Sequence, residues 1–179
     1  MLSESELERI FAWKPYRAEW PIDRSALEQT VLSHYGSLIK DMVNNPIFDC
    51  TQTQTGETTN YLEFLCYPAG NVVNIDRAGV LVCVSLCAPL VAYGETVYKK
   101  DKKSFAYAFP DPSQLNLIET LNLMPVEKEL KTIFEKHRLQ ILPADYAAQP
   151  LNKEMAENLD SLNLGQTKLA ALFQWKSAV

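Results

Sequence analysis

The spacing of hydrophobic residues changes twice along the chain, from a helical period to an alternating one and back again. From about residue 3 to residue 45, apolar side chains recur every three or four positions, which predicts helices. From about 58 to 109 they alternate with polar side chains or form short β-branched runs, which is typical of strands. The helical period then returns over about 111–176. The pattern therefore predicts a central sheet between N-terminal and C-terminal helices.

Capping signals indicate where individual helices begin. Ser3 and Glu6 have the spacing of a capping box, in which each side chain binds the backbone of the other residue, and Ser25 and Glu28 repeat that spacing. In the C-terminal third, starts are predicted where a capping residue or a proline precedes an apolar stripe, at Asp111, Pro125, Asn152 and Thr167. The helix that starts at Asp111 is expected to continue to about Leu121.

The middle of the chain predicts the topology of the sheet. The segment from Val80 to Cys87 is apolar on both faces, so we expect it in the interior of the sheet, after a turn at Gly79. Short connections favour an antiparallel meander of about four to six strands. The acidic residues Glu63 and Asp76 in this region are expected to face solvent. Because helices and strands are segregated along the chain, we predict an α+β fold.

Length and charge narrow the class of protein. A chain of 179 residues is expected to form one domain, residues 1–179. Its net charge of −5 argues against nucleic-acid binding, which needs a basic face. The lysines of residues 99–103 are interpreted as a solvated hairpin tip. We find neither a secretory signal nor an uncharged stretch that would span a membrane comfortably, so a soluble cytoplasmic protein without membrane association is expected.

The residues that could carry chemistry form no recognisable motif. The four cysteines lack Cys-x-x-Cys spacing and are expected to be reduced, with Cys66 and Cys83 in the core. His34 and His137 each follow an apolar helical residue by seven positions, so they are expected to border the core. Phosphate-binding loops and nucleophile elbows are absent from the sequence. We therefore expect no catalytic residue, metal or cofactor, although a site assembled from distant residues stays open.

The segment from Trp13 to Trp20 is the candidate binding surface. It is aromatic and broken by proline, and tryptophan, tyrosine and arginine are enriched at binding hot spots. A linker of this kind runs over the surface, so its two tryptophans are expected to tuck beneath it while Tyr16 and Arg17 face outward. The alternative is that the whole segment covers the core. The candidate partner-binding residues are Trp13, Tyr16, Arg17 and Trp20.

The absence of catalytic signatures favours a non-enzymatic binding protein. One form of such a protein is an inhibitor of a protein partner. In its overall profile, small, acidic and α+β, the chain resembles the immunity proteins that bacteria pair with secreted toxins. The resemblance rests on no motif, so it assigns a role to no residue. Two alternatives stay open: a small hydrolase or transferase with a site assembled from distant residues, and a structural subunit of a larger assembly.

Overall fold

The computed structural model describes residues 1–22, 27–55, 59–70, 76–100, 105–159 and 166–174. The chain begins with helices α1 (Glu4–Phe11) and α2 (Leu27–Val43). Five strands follow, β1 (Asp49–Gln54), β2 (Tyr61–Tyr67), β3 (Asp76–Ser85), β4 (Leu90–Lys100) and β5 (Phe105–Tyr107). The last third contains helix α3 (Met124–Lys136), strand β6 (Gln140–Ile141) and the short helices α4 (Ala144–Ala147), α5 (Lys153–Glu157) and α6 (Lys168–Leu172). The order is the one that the sequence predicts, and the fold is α+β.

The strands form one mostly antiparallel sheet in the order β1-β2-β3-β4-β5, and β6 adds a short parallel pairing to β4. Strand β3 lies between β2 and β4 and pairs with both over most of its length. Its central residues Val82 and Cys83 point to opposite faces, and both are buried. The prediction of an interior strand covered on both sides is confirmed.

Helices cover both faces of the sheet. Helices α2 and α3 pack on the face that carries Leu62, Phe64 and Val82, and we call it the α2–α3 face. Helices α1, α4 and α6 pack on the opposite face, around Tyr61 and Cys83, which we call the α1–α6 face. Among the described residues, no helix is long and apolar enough to cross a membrane.

Local sequence signals give several elements their correct limits. The Ser3–Glu6 capping box is formed, with the Glu6 backbone N–H donating to the Ser3 hydroxyl and the Ser3 backbone N–H donating to the Glu6 carboxylate. Asn152 caps α5, since its side chain accepts from the backbone N–H of Met155. Thr167 is the N-cap residue of α6. The second capping box, at Ser25, lies outside the described residues.

Three local predictions are wrong. The sheet begins earlier than residue 58, because the polar segment Asp49–Gln54 forms the edge strand β1. Gly79 makes no turn; it lies within β3, where an added Cβ would come 2.9 Å from the Tyr98 ring. The helix expected from Asp111 is a single 3₁₀ turn, Pro112–Gln114, after which the chain runs irregularly. Each of these segments is shaped by contacts with distant residues.

Candidate functional site

The Trp13–Trp20 segment is fixed to the body of the protein at several points. The Trp13 indole N–H donates to the Gln174 side chain at 3.0 Å, and the Trp20 indole N–H donates to the Leu86 carbonyl at 3.0 Å. The Tyr16 backbone N–H donates to the Cys87 carbonyl at 2.8 Å. Both indoles are partly buried, and their hydrogen bonds attach the two ends of the segment to the body of the protein.

Arg17 and Tyr16 differ in how far they reach solvent. The Arg17 side chain is 56% exposed and forms an ion pair of 2.9 Å with Glu6. Its guanidinium carbon lies 5.0 Å from the centroid of the Tyr16 ring, which is half-buried and meets Trp20 edge-on. The backbone N–H of Ser3, followed by Arg17, lowers the pKa of Glu6 to about 2, so the carboxylate stays charged. Arg17 is therefore displayed outward, whereas Tyr16 presents only part of its ring.

A cleft of about 280 Å³ opens beside these residues. Tyr16 and Tyr146 contribute aromatic walls, and the Glu6–Arg17 pair supplies opposite charges. Gln140, from the short strand β6, adds an amide group. The remaining lining is apolar and consists of Met1, Leu2, Pro89, Leu90, Ile141, Leu142 and Pro143. The cleft therefore combines polar groups with apolar side chains, and pockets that receive a ligand or a partner's side chain contain both.

A second surface is formed where the chain crosses the edge of β4. Leu115 is buried on the α1–α6 face and Ile118 on the α2–α3 face, so the segment between them passes from one face to the other. At the crossing, the Asn116 backbone N–H donates to the Tyr93 carbonyl at 2.9 Å, and Asn116 adopts a left-handed φ of 64°. Leu117 is therefore turned away from both cores and is 50% exposed.

Further exposed apolar residues lie close to this crossing. Val97 and Leu117 line a cleft of about 240 Å³ together with the carboxylate-bearing residues Glu95 and Glu119. Val97 is 61% exposed, and Leu121, just beyond the crossing, is 83% exposed. We call Val97, Leu117 and Leu121 the leucine–valine patch. Contiguous exposed apolar groups are typical of interaction surfaces, whereas scattered ones are ordinary.

Glu63 is buried, which corrects the expectation that it faces solvent. The residue is only 4% exposed and lies on the α1–α6 face. Its carboxylate accepts hydrogen bonds from the Tyr107 hydroxyl at 2.5 Å, the Thr53 hydroxyl at 2.7 Å and the Cys83 thiol at 3.7 Å. Burial, and then the Glu63 carboxylate, raise the pKa of the Tyr107 hydroxyl far above its usual value, so it remains a donor. These contacts satisfy the carboxylate inside the fold.

The two histidines lie in different environments. His137 is half-buried and its Nε2 lies 2.6 Å from an Asp41 oxygen, which Lys136 also contacts at 2.7 Å. His34 is exposed, although its ring meets Trp20 and Tyr35 edge-on. Both rings therefore lie at the border of the core, and His34 is the more exposed of the two. In the part of the chain that the structure describes, no group of three His, Cys, Asp or Glu residues could hold a metal ion.

Comparison with known proteins finds no matching family model, no similar curated protein and no similar solved structure. Of the four candidate residues, Trp13 and Trp20 anchor the segment, whereas Tyr16 and Arg17 line the cleft. Sequence reasoning missed the leucine–valine patch, because the spacing of apolar residues predicts a helix that continues to Leu121. It also missed Glu63, whose partners come from other strands. No local signal identifies either feature.

Proposed function

We propose that this chain is a non-enzymatic binding protein that docks a protein partner on the Trp13–Trp20 segment and the cleft beside it. One observation carries the proposal: Tyr16 and Arg17 are presented on a backbone held by two indole hydrogen bonds. A surface held rigid before binding loses little conformational entropy in a complex. Aromatic and arginine side chains are also those that most often dominate binding energy.

The cleft suggests what the partner contributes. Its tyrosine walls and apolar lining suit one inserted apolar or aromatic side chain. Arg17 at the rim suits a partner carboxylate or backbone carbonyl, because its side chain is more than half exposed. We extend the proposal to an inhibitor that resembles the immunity proteins. It would act in the cytoplasm, and it would bind no nucleic acid. The net charge of −5 and four free cysteines support that setting.

The enzymatic alternative has one observation in its favour, the buried Glu63 with hydroxyl and thiol donors around it. An acid or base must reach a substrate atom, however, and Glu63 is 4% exposed. Among the described residues, Glu63 lines neither the cleft at Tyr16 nor the cleft at Glu95, nor a further cleft beside Lys40. We therefore assign Glu63 to the stability of the fold.

Replacing Tyr16 and Arg17 together by alanine tests the proposal. The partner is first isolated from the source cells with the tagged chain and then purified, so that calorimetry measures one defined interaction. The double variant should bind at least about 2 kcal/mol more weakly, which is about 30-fold in Kd, because two hot-spot side chains are lost. Its melting temperature should fall only slightly, because the lost Arg17–Glu6 pair is exposed and both anchoring indoles remain.

The matched control removes two exposed side chains from the other surface, as Leu117→Ser with Leu121→Ser. This variant should bind the partner with the affinity of the unchanged chain. If it loses affinity while the Tyr16/Arg17 variant keeps it, the docking site is the leucine–valine patch and the proposed site is wrong. A catalytic activity that Glu63→Gln abolishes would reject the non-enzymatic assignment itself.

A further inference from the structure

Two cysteines lie directly opposite each other on neighbouring strands. The antiparallel pairing of β1 with β2 places Cys50 across from Cys66, and their Sγ atoms are 3.5 Å apart. Opposite residues of an antiparallel pair have Cα atoms about 4.5–5.5 Å apart, which lies within the range that disulfides span, about 4.4–6.8 Å. The sulfurs need to approach to only about 2.05 Å to bond. Side-chain rotation supplies such a movement without rearranging the strands.

The two thiols differ in accessibility. Strand β1 lies at the end of the strand order, and Cys50 on it is half-buried, whereas Cys66 is fully buried on the α2–α3 face. Burial, followed by the hydrogen bond to Cys50, raises the pKa of the Cys66 thiol, so Cys66 gives up its proton only as it reacts. A dissolved oxidant therefore reaches Cys50 first, and Cys66 is positioned to attack the product. Sequence spacing hides the pair, because the two residues are 16 positions apart.

We propose that Cys50 and Cys66 form a reversible oxidation site at which a peroxide converts two thiols into one disulfide. The Cys50 sulfur attacks one oxygen of hydrogen peroxide and forms an S–O bond as the O–O bond breaks. The Cys50 S–H proton passes to the departing hydroxide, so Cys50 sulfenic acid and one water form. The Cys66 sulfur then attacks the Cys50 sulfur, and the S–O bond breaks as the S–S bond forms. The released hydroxide takes the Cys66 proton as a second water. The sulfurs lose two electrons in total, and peroxide gains them.

The disulfide would fasten the edge strand to the sheet. Strand β1 pairs with β2 alone among the named strands, and its register is irregular between Gln52 and Gln54. A cross-link to the interior of the sheet restricts the unfolded chain and so favours the folded one. The site is independent of the proposed docking function, since no β1 residue lines the cleft at Tyr16.

Intact-mass measurement of the full chain tests the site. The reduced protein is exposed to a small molar excess of hydrogen peroxide without denaturant. We expect a loss of two hydrogen atoms per chain, a peptide cross-linked through Cys50 and Cys66, recovery of the original mass with dithiothreitol, and a higher melting temperature before reduction. Cys50→Ser should abolish the cross-link, whereas Cys83→Ser and Cys87→Ser should leave it unchanged.

Cys50→Ser carries the decisive comparison, because Cys50 lies at the edge of the sheet and its replacement leaves the core intact. Cys66→Ser is also examined, with its melting temperature as the check on folding. Oxygen adducts on Cys50 without a cross-link would overturn the proposal. So would a cross-link that joins Cys83 to Cys87, or an unchanged mass under conditions that fully oxidise free glutathione.

Discussion

The burial of Glu63 shows how much a single side chain depends on its neighbours. An isolated carboxylate in an apolar core is costly, and it persists only when donors replace the water that it loses. Three strands supply these donors: Thr53 from β1, Cys83 from β3 and Tyr107 from β5. Each partner depends on the register between strands, which a sequence does not display. Alternation along one strand therefore could not identify Glu63 as a buried residue.

Tyr107→Phe should destabilise the protein by about 2 kcal/mol, because a buried carboxylate would lose one of its donors. Tyr35→Phe is the control. The Tyr35 hydroxyl donates to a neutral acceptor, the Ser85 carbonyl, at 2.8 Å, and this bond should be worth about 1 kcal/mol. Urea unfolding of both variants gives the comparison. Equal losses in the two variants would mean that Glu63 contributes no more than a neutral acceptor.

At the scale of elements, the segment from Pro110 to Leu123 is held against β4 by close backbone approach. An added Cβ at Gly94 would lie 2.7 Å from the Pro110 ring, so only glycine allows the segment to pack there. Further along, the Glu95 carboxylate accepts from the backbone N–H groups of Glu119 and Thr120, at 2.8 and 3.0 Å. This packing and these hydrogen bonds explain why the chain crosses the sheet edge here instead of forming the expected helix.

Gly94→Ala should therefore destabilise the protein by about 1–3 kcal/mol, the usual cost of overpacking. The matched change is Gly36→Ala in α2, where an added Cβ meets nothing within 4 Å. That substitution should stabilise the protein by about 0.5–1 kcal/mol, because alanine favours the helix. Thermal unfolding shows which of the two variants loses stability and which gains it. A neutral Gly94→Ala variant would show that Pro110 moves aside without cost.

The elements that the sequence predicted are those with local determinants. Helix α1 has a complete capping box, and the stripe of α3 buries Leu130 and Phe134 as its spacing requires. Strand β1 has no such signal, because its residues do not alternate between apolar and polar. It is a strand only because it pairs with β2. The Trp13–Trp20 segment was recognisable by composition, but its cleft also needs Gln140 and Tyr146 from the far end of the chain.

At the scale of the whole molecule, carboxylates join elements that are distant in sequence. Glu6 joins α1 to Arg17, Asp41 joins α2 to Lys136 of α3, and Glu95 joins β4 to the crossing segment. All three have a lowered pKa. For Glu95, burial alone would raise the pKa, but hydrogen bonds from Thr120 and Glu119 outweigh it. Since each group is more acidic in the folded chain, stability is lost as the pH falls.

Asp41 allows this dependence to be measured at one contact. Lys136, followed by His137, holds the pKa of Asp41 below its usual 3.8, so the charged form stabilises the fold above that pH and the benefit disappears below it. At pH 7, Asp41→Asn should lower the free energy of unfolding by up to about 1 kcal/mol, since the carboxylate is partly exposed. The difference in unfolding free energy between the variant and the unchanged chain should close as the pH falls below 3.8.

The control is Glu157→Gln, which removes a more exposed contact of 3.7 Å to Lys153 and should change little at any pH. Urea unfolding at several pH values measures both variants, and a gap for Asp41→Asn that persists at low pH would show that packing, not charge, joins α2 to α3.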